Sequence, residues 1–397
     1  MIPIAEAFKI VTRSTPALGG EKVALDRAVG RILAEDVLAD SDLPPFDRSQ
    51  MDGYAVRAAD TRRTPVTLTI AGESAAGRGW HKRLNRGEAV RIMTGAPVPD
   101  GADAVQMIER TREAEGKVEI LEPTEKGRYI VPQGKEVKKG DVVLAAGTLV
   151  TTNMIATLAA FGYSKVKVAK LPRVAVIATG SELVEVDRRP RRDQIRNSNS
   201  PMLRAMLADL GIDAAIFPLA KDDLEGLKHQ IAAAAKTSDI VILTGGVSVG
   251  KYDLTKPALA ELGAEMLFDK VELKPGKPTV FARRKRTLFF GLPGNPVSVA
   301  VTFSLFVRKA IRLMQKASET DLASGFATLD GPAKGTKPRD TYLPASLATS
   351  SDGRLLAIPL AWHGSSDFIG FSRCDALVIV PKGKSYEAGE VAEVLFL

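Results

Sequence analysis

Apolar positions follow different periods along the chain. Ile4, Phe8 and Val11 recur at helical spacing and predict a helix over 3–13, and a second helical stretch is expected around Leu25 to Ala34, after Gly19-Gly20. From about 44 to 135 the period shortens. Runs such as Val66-Thr67-Leu68-Thr69-Ile70 and Val118-Glu119-Ile120, punctuated by Gly and Pro, predict a small β-rich domain. Residues 136–170 carry a strand-like Val142-Val143-Leu144 and a helix-like Thr152 to Phe161. If that stretch packs back onto the N-terminal helices, the β-rich unit is an insertion.

From Leu171 onward strands and helices alternate regularly. Strands are expected at Val174–Ala178, Ala214–Phe217, Ile240–Leu243, and near 264–273 and 287–290. Helices are expected at Pro201–Leu210, Leu224–Ala235, and near 254–262 and 296–314. This is the pattern of a doubly wound α/β domain. Ser200 before Pro201 reads as a cap and a first-turn proline, Gly211 as the residue past the helix end, and Asn295-Pro296 as a second start signal. The tail from about 322 returns to short strands, among them Ala376–Pro381 and Val391–Leu397. The expected fold class is therefore α/β multidomain: a central doubly wound α/β domain, a β-rich insertion and a β-rich C-terminal domain. Expected boundaries are 1–43 plus 136–170 for a discontinuous helical and linker domain, 44–135 for the insertion, 171–318 for the α/β domain and 322–397 for the C-terminal domain.

Composition narrows the function classes. With 397 residues, 45% of them hydrophobic and 26% charged, the chain can bury two or more cores. The single Cys374 excludes an internal disulfide framework, and the first residues lack the basic flank and apolar core of a signal peptide, so the cytoplasm is expected. No apolar run approaches the roughly 20 residues of a membrane span. The net charge of +8 resides partly in two short clusters, Arg188–Arg192 and Arg283–Arg286, without interleaved aromatics. They read as solvated turns or as steering for a small anion, and nucleic acid is not expected. With three histidines and one cysteine, zinc sites and His-dependent nucleophilic triads lack parts, so any metal should be a hard cation on oxygen ligands.

Candidate chemistry gathers where the α/β strands end. Three loops follow strands: Thr179-Gly180-Ser181-Glu182, Thr244 to Gly250, and Gly291-Leu292-Pro293-Gly294-Asn295-Pro296. Their glycines let backbone N–H groups approach a ligand, a helix starts near Pro296, and Lys274 and Lys277 add cations on a proline-restricted segment, which suits a phosphate. Glu182, Asp222 and Asp253 bring acids to the same place. Beside a phosphate they call for a bridging Mg²⁺ or for a heterocycle that donates hydrogen bonds to them. Gly245-x4-Gly250-Lys251 begins like a P-loop, but Tyr252 replaces the hydroxyl residue that would hold Mg²⁺. Far upstream, Pro44 to Val56 sets Asp52 on a tight turn, and Arg91 to Pro99 holds Thr94 between Met93 and Gly95. The two turns read as rims of one site.

Six of these segments in order carry a family resemblance: Pro-Pro-Phe-Asp-x-Ser-x-Met-Asp-Gly-Tyr-Ala (44–55), Met-Thr-Gly-Ala-Pro-Val-Pro (93–99), Thr-Gly-Ser-Glu-Leu (179–183), Gly-Gly-Val-Ser-Val-Gly (245–250), Lys-Pro-Gly-Lys-Pro (274–278) and Gly-Leu-Pro-Gly-Asn-Pro-Val-Ser (291–298). Over nearly its whole length the chain resembles the molybdopterin molybdenumtransferases, relatives of the gephyrin E domain and its plant counterpart. The resemblance implies an elongated homodimer whose active clefts lie between the α/β domain of one subunit and the β-rich insertion of the other. It implies transfer of molybdenum from molybdate into adenylylated molybdopterin, with Mg²⁺ and release of AMP. Carried over by position, Asp52, Thr94, Glu136 and Glu182 are expected catalytic residues, and Asp222 and Asp253 metal ligands. Expected substrate contacts are Thr179, Gly180, Ser181, Asn197, Ser198, Gly245, Gly246, Val247, Ser248, Gly250, Lys274, Lys277, Pro293, Gly294, Asn295, Arg339 and Ser365. A molybdopterin adenylyltransferase and maturation factors of molybdoenzymes are the candidate partners. Glu136 stands where the family often has Asp, and Arg48 where Asn is frequent. An adenylyltransferase activity, a non-catalytic scaffold and a preference for tungstate are the alternatives.

Overall fold

The computed structural model describes residues 1–246, 254–361 and 364–397. The chain divides into two compact units, one of Met1–Glu35, Ala146–Thr152 and Lys165–Leu397, the other of Asp36–Ala145 and Asn153–Ser164.

The first unit is built on a six-stranded sheet in the order Ala215–Ile216, Val174–Ala178, Ile240–Thr244, Thr287–Leu292, Val280–Arg284, Glu265–Phe268. The first four strands run parallel, and the last two are added antiparallel to their neighbours. Val174–Ala178 and Ile240–Thr244 are buried throughout and apolar up to the terminal Thr244, as strands covered on both faces must be. Their alternate side chains feed two cores. Val174, Val176, Ile240 and Ile242 pack with the helix Asn199–Ala208 and the long helical run from Pro296 to Met314. Ala175, Ile177, Val241 and Leu243 pack with the helices Leu224–Thr237 and Thr255–Glu261. The N-terminal helix Ile4–Ser14 buries Ile4, Ala7, Ile10 and Val11 in the first of these cores.

The C-terminal part of this unit is a closed barrel. Asp340–Thr349, Leu355–Pro359, Ser324–Leu329, Val391–Phe396 and Ala376–Val380 pair in that order, and Ala376–Val380 returns to Asp340–Thr349, so no edge remains within the ring. Leu273–Lys274 adds to Asp340–Thr349 in parallel and ties the barrel to the α/β domain.

The second unit carries another six-stranded sheet, in the order Ala104–Met107, Gly53–Val56, Glu88–Ile92, Val66–Ser74, Lys117–Ile120, Thr111–Ala114. Its two faces bury separate clusters, Tyr54 with Leu68 and Ile120 on one side, Val90 with Ile92 and Val105 on the other. The strand Arg48–Ser49 pairs with Ile130–Val131, and the helix Met154–Ala160 belongs to the same unit.

Several expectations are corrected. No helix forms over Leu25 to Ala34: the segment holds one short 3-10 turn, Leu25–Arg27, and Ile32 and Leu33 bridge instead to Leu149 and Val168. Gly30, at φ +80°, breaks the chain direction between them. The helix expected from Pro201 starts at Asn199, so Ser200 lies inside it, and Asn197 Oδ1 accepts the Ser200 N–H at 3.1 Å. The strand expected over 264–273 stops at Phe268, and Val280–Arg284, a strand not expected from sequence, forms a hairpin with Thr287–Leu292. Its turn is the basic cluster, with Lys285 at φ +55°.

Candidate functional site

Strand order in the α/β sheet reverses between Val174–Ala178 and Ile240–Thr244, and in such sheets the crevice beyond the strand ends at the reversal is where ligands collect. Three loops meet there. Thr179 donates its N–H to Thr244 O at 2.9 Å, and Gly245 donates to Leu292 O at 3.2 Å, so each loop is set by the next strand. Gly245 is obligatory: at φ +91°, a Cβ on it would stand 2.3 Å from Thr179 O.

One side chain links the second and third loops. Asn199, on the first turn of its helix, donates Nδ2 to Thr244 Oγ1 at 2.9 Å and to Gly294 O at 2.7 Å, while Thr244 Oγ1 donates to Pro293 O at 3.1 Å. Asn199 Oδ1 and Thr179 Oγ1 are buried without a hydrogen-bond partner. Buried polar atoms are normally satisfied, so two orphans at one loop junction single it out. Asn199 was not singled out from sequence. The polar run Asn197-Ser198-Asn199-Ser200 was its only signal, and Asn197 itself is buried, bonded through both amide atoms to Ser200. Ser198 is exposed at the helix start.

The acids of the crevice occupy distinct positions. Asp222 Oδ2 accepts the Ser181 N–H at 3.1 Å and the Ser181 hydroxyl at 2.6 Å. The cap of the following helix falls to its neighbour, with Asp223 Oδ2 accepting the Gly226 N–H at 2.8 Å, so Asp222 serves the loop and not the helix. The Glu182 carboxylate folds back over Gly180, within 2.6 Å of where a Cβ would be. Val247, Ser248, Gly250 and Asp253 lie outside the described residues.

The rim is closed from the barrel side. Asn295 caps its helix by backbone geometry alone, because its Nδ2 donates to Ser365 Oγ at 2.7 Å, and the Val297 N–H donates to Ser365 O at 3.2 Å. The Ser365 turn thus takes one of the helix-start amides left free in the sequence reading. Lys274 is half-buried in its short strand, whereas Lys277 is exposed, with its carbonyl held by the Val271 N–H at 3.0 Å. Arg339 is half-buried and donates to Leu273 O at 3.3 Å.

In the other unit, Asp52 and Thr94 meet directly. Asp52 Oδ1 accepts the Thr94 N–H at 2.7 Å and the Thr94 hydroxyl at 3.0 Å. The backbone amide first and the hydroxyl second hold the Asp52 carboxyl below the usual aspartate range. Gly53 is required beside it, because a Cβ there would stand 1.9 Å from Gln106 O. Gly95, at φ +81°, donates to Ser49 O at 2.8 Å and closes the Thr94 turn onto the strand before Asp52. Glu136 pairs with Arg48 at 3.2 Å. Both sides of that pair are well exposed.

Among the described residues no group of three or more acids, histidines or cysteines forms a metal cage, and no helix is long and apolar enough to cross a membrane. The oxygen-only donors at the crevice suit a hard cation that keeps water and borrows further oxygens from a bound phosphate.

Comparison with known proteins agrees with this architecture. Residues 2–162 match the MoeA N-terminal region (domain I and II), 175–313 the probable molybdopterin binding domain, and 327–397 the MoeA C-terminal region (domain IV). The molybdopterin molybdenumtransferase of Staphylococcus aureus strain Mu50 is 37% identical over 399 residues, an alignment spanning 99% of this chain and 95% of the relative. That of Staphylococcus epidermidis strain ATCC 12228 is 35% identical over the same shares. The crystal structure of the molybdopterin biosynthesis MoeA protein from Pyrococcus horikoshii OT3 superposes with a TM-score of 0.86 at 31% identity, covering 100% of both chains. The chain belongs to the MoeA family of molybdopterin molybdenumtransferases, enzymes of molybdenum cofactor biosynthesis.

Proposed function

We propose that this enzyme takes adenylylated molybdopterin and molybdate, cleaves the phosphoanhydride, and releases AMP and molybdenum cofactor. The observation that carries the reading is the crevice at the sheet reversal, where Asn199 locks the loops and leaves Thr179 Oγ1 and Asn199 Oδ1 unpartnered. A pterin or phosphate ester offers groups to fill such positions. Lys277 and Lys274 would hold the phosphates, with Lys277 on a loop braced by Thr279 Oγ1 donating to Gly276 O at 2.6 Å.

Asp222, with Asp253, would hold Mg²⁺, which would offset charge on the anhydride oxygens. The Ser181 bonds hold the Asp222 carboxylate in place across the loop. Glu182, Asp52 and Glu136 are assigned to molybdate, to orient it or to move protons at its oxygens, with Thr94 holding Asp52 as a carboxylate. Arg339 and Ser365 set the loops that face the substrate.

Because Asp52 and Thr94 sit in one compact unit and Asp222 in the other, a homodimer that joins the insertion of one subunit to the α/β domain of its partner suits the reaction. We place the enzyme in the cytoplasm, consistent with its one free cysteine. A molybdopterin adenylyltransferase is the natural supplier of its substrate.

The test is AMP release from adenylylated molybdopterin with Mg²⁺, with and without molybdate, and with tungstate in parallel. Molybdate-dependent AMP release with cofactor formation is expected. Product from ATP and molybdopterin instead would establish the adenylyltransferase alternative, and silence in both would leave a binding protein.

A further inference from the structure

Asp52 and Thr94 stand on neighbouring turns, and two fully buried serines, Ser49 and Ser74, reach both turns. Serine is mostly a surface residue, so a buried hydroxyl needs partners, and here the partners are turn backbone. Ser49 Oγ donates to Met51 O at 2.6 Å, in the turn that leads into Asp52. The Ser49 carbonyl accepts the Gly95 N–H at 2.8 Å, and its own N–H donates to Ala96 O at 3.0 Å. Ser74 grips the Thr94 turn from the other side: its Oγ donates to Pro97 O at 2.7 Å, and its carbonyl accepts the Met93 N–H at 3.1 Å. Met93 to Pro97 is thereby tied at both ends and in the middle.

Ser74 reaches that turn because its strand is irregular. Val66–Ser74 runs parallel to Glu88–Ile92 with Ile70 opposite Ala89 and then Gly72 opposite Val90, so Ala71 is an extra residue. A one-residue bulge exchanges the faces of the strand beyond it. Leu68 and Ala89 belong to the cluster around Tyr54, and Val90 and Ile92 to the other. Regular alternation from Leu68 would send Ser74 to the Tyr54 side, whereas the bulge sets it opposite Ile92, on the side of Trp80 and Val98. The Trp80 indole lies against the bulge, 2.3 Å from where a Cβ on Gly72 would stand, and the Trp80 N–H donates to Ser74 Oγ at 3.4 Å. Glu73, next to Ser74, accepts from Arg91 at 3.3 Å, which ties this strand end to the strand leading into Thr94.

We propose that Ser49 and Ser74 are positioning residues, a clamp that keeps the Thr94 amide and hydroxyl on the Asp52 carboxylate. Being buried, they act through the two turns. The catalytic consequence rests on the role proposed above for Asp52.

Hydrogen exchange at the Thr94 amide of the ligand-free protein tests the clamp without any substrate. Ser74→Ala should speed that exchange on the order of tenfold or more, while the amides of Lys117–Ile120 in the same sheet keep their rates. Val118→Ala, a truncation in the cluster around Tyr54, is the control: it should lower the melting temperature without singling out Thr94. In molybdate-dependent AMP release, Ser49→Ala and Ser74→Ala should each lower kcat roughly 10- to 100-fold with KM for adenylylated molybdopterin unchanged, as a misplaced group in an intact binding site does. Thr94 exchange no faster in Ser74→Ala than in Val118→Ala overturns the clamp, and fast exchange with full kcat overturns its part in the reaction. Failure of the wild type to release AMP would count against the transferase reading alone, because the exchange experiment needs no substrate.

Discussion

Asp52 is held as an anion by a turn built around it. Its depressed pKa follows from two bonds donated by Thr94, so the sign of its pH dependence can be worked out. A carboxyl whose folded pKa lies below its unfolded value of about 3.9 stabilises the fold above that pH, and the contribution is lost as pH falls through the folded pKa. Thr94→Val removes the hydroxyl bond and should move the Asp52 titration up toward the ordinary range. Carbon-detected NMR of the carboxyl measures it, and an unmoved titration would show that the amide alone sets the charge. Asp52→Asn should abolish cofactor formation while leaving molybdopterin binding largely intact; full insertion activity in that variant would remove Asp52 from the chemistry. Cys374 gives a contrasting case. Burial pushes its thiol up to about 11, and its Sγ donates to Ala376 O, so labelling by a thiol reagent at neutral pH should be slow in the native protein and fast once unfolded.

At the scale of elements, the crevice depends on backbone approach and on one bridging amide. Gly245→Ala places a Cβ against Thr179 O at a left-handed φ, and should cost about 1–3 kcal/mol in a denaturant melt and weaken molybdopterin binding. Asn199→Ala frees Thr244 Oγ1 and Gly294 O, with a similar cost of about 1–3 kcal/mol, and its loss of binding should exceed that of the exposed Ser198→Ala. The alternation of the α/β domain was legible because continuous apolar runs such as Ile240–Leu243 leave little choice of partner. Helix starts were less so, since Asn197 and Ser200 bond to each other only once the turn exists. The stretch Leu25 to Ala34 misled because Ala28, Ile32 and Leu33 fall at near-helical spacing, yet Ile32 and Leu33 are buried by pairing with the distant Leu149 and Val168. Loop glycines, lysines and acids were readable from local motifs. Asn199 was not, because its role arises from joining Thr244 to Gly294, and no local pattern encodes that contact. The choice of Asp223 over Asp222 as the helix cap is likewise decided by where Ser181 lands.

For the whole molecule, the distribution of acids sets the question. Asp52, Thr94 and Glu136 belong to one compact unit and Glu182 and Asp222 to the other, and the proposed reaction needs both sets on one substrate. The segments around Asp52 and Thr94 also expose Phe46, Met51 and Met93, at 40%, 37% and 41%, beside an ionised carboxylate, a combination suited to a protein partner. In the proposed homodimer, that partner is a second copy of the chain. Sedimentation should then report twice the chain mass of 42.4 kDa. Mass alone does not locate the cleft, whereas complementation does. Asp52→Asn and Asp222→Asn are each expected to be inactive as homodimers. Co-expressed, they form mixed dimers in which one cleft draws both defects and the other draws neither, so roughly a quarter of wild-type sites should be restored if the cleft spans subunits. If each cleft is built from a single chain, every site keeps one defect, and the mixture stays as inactive as its parents.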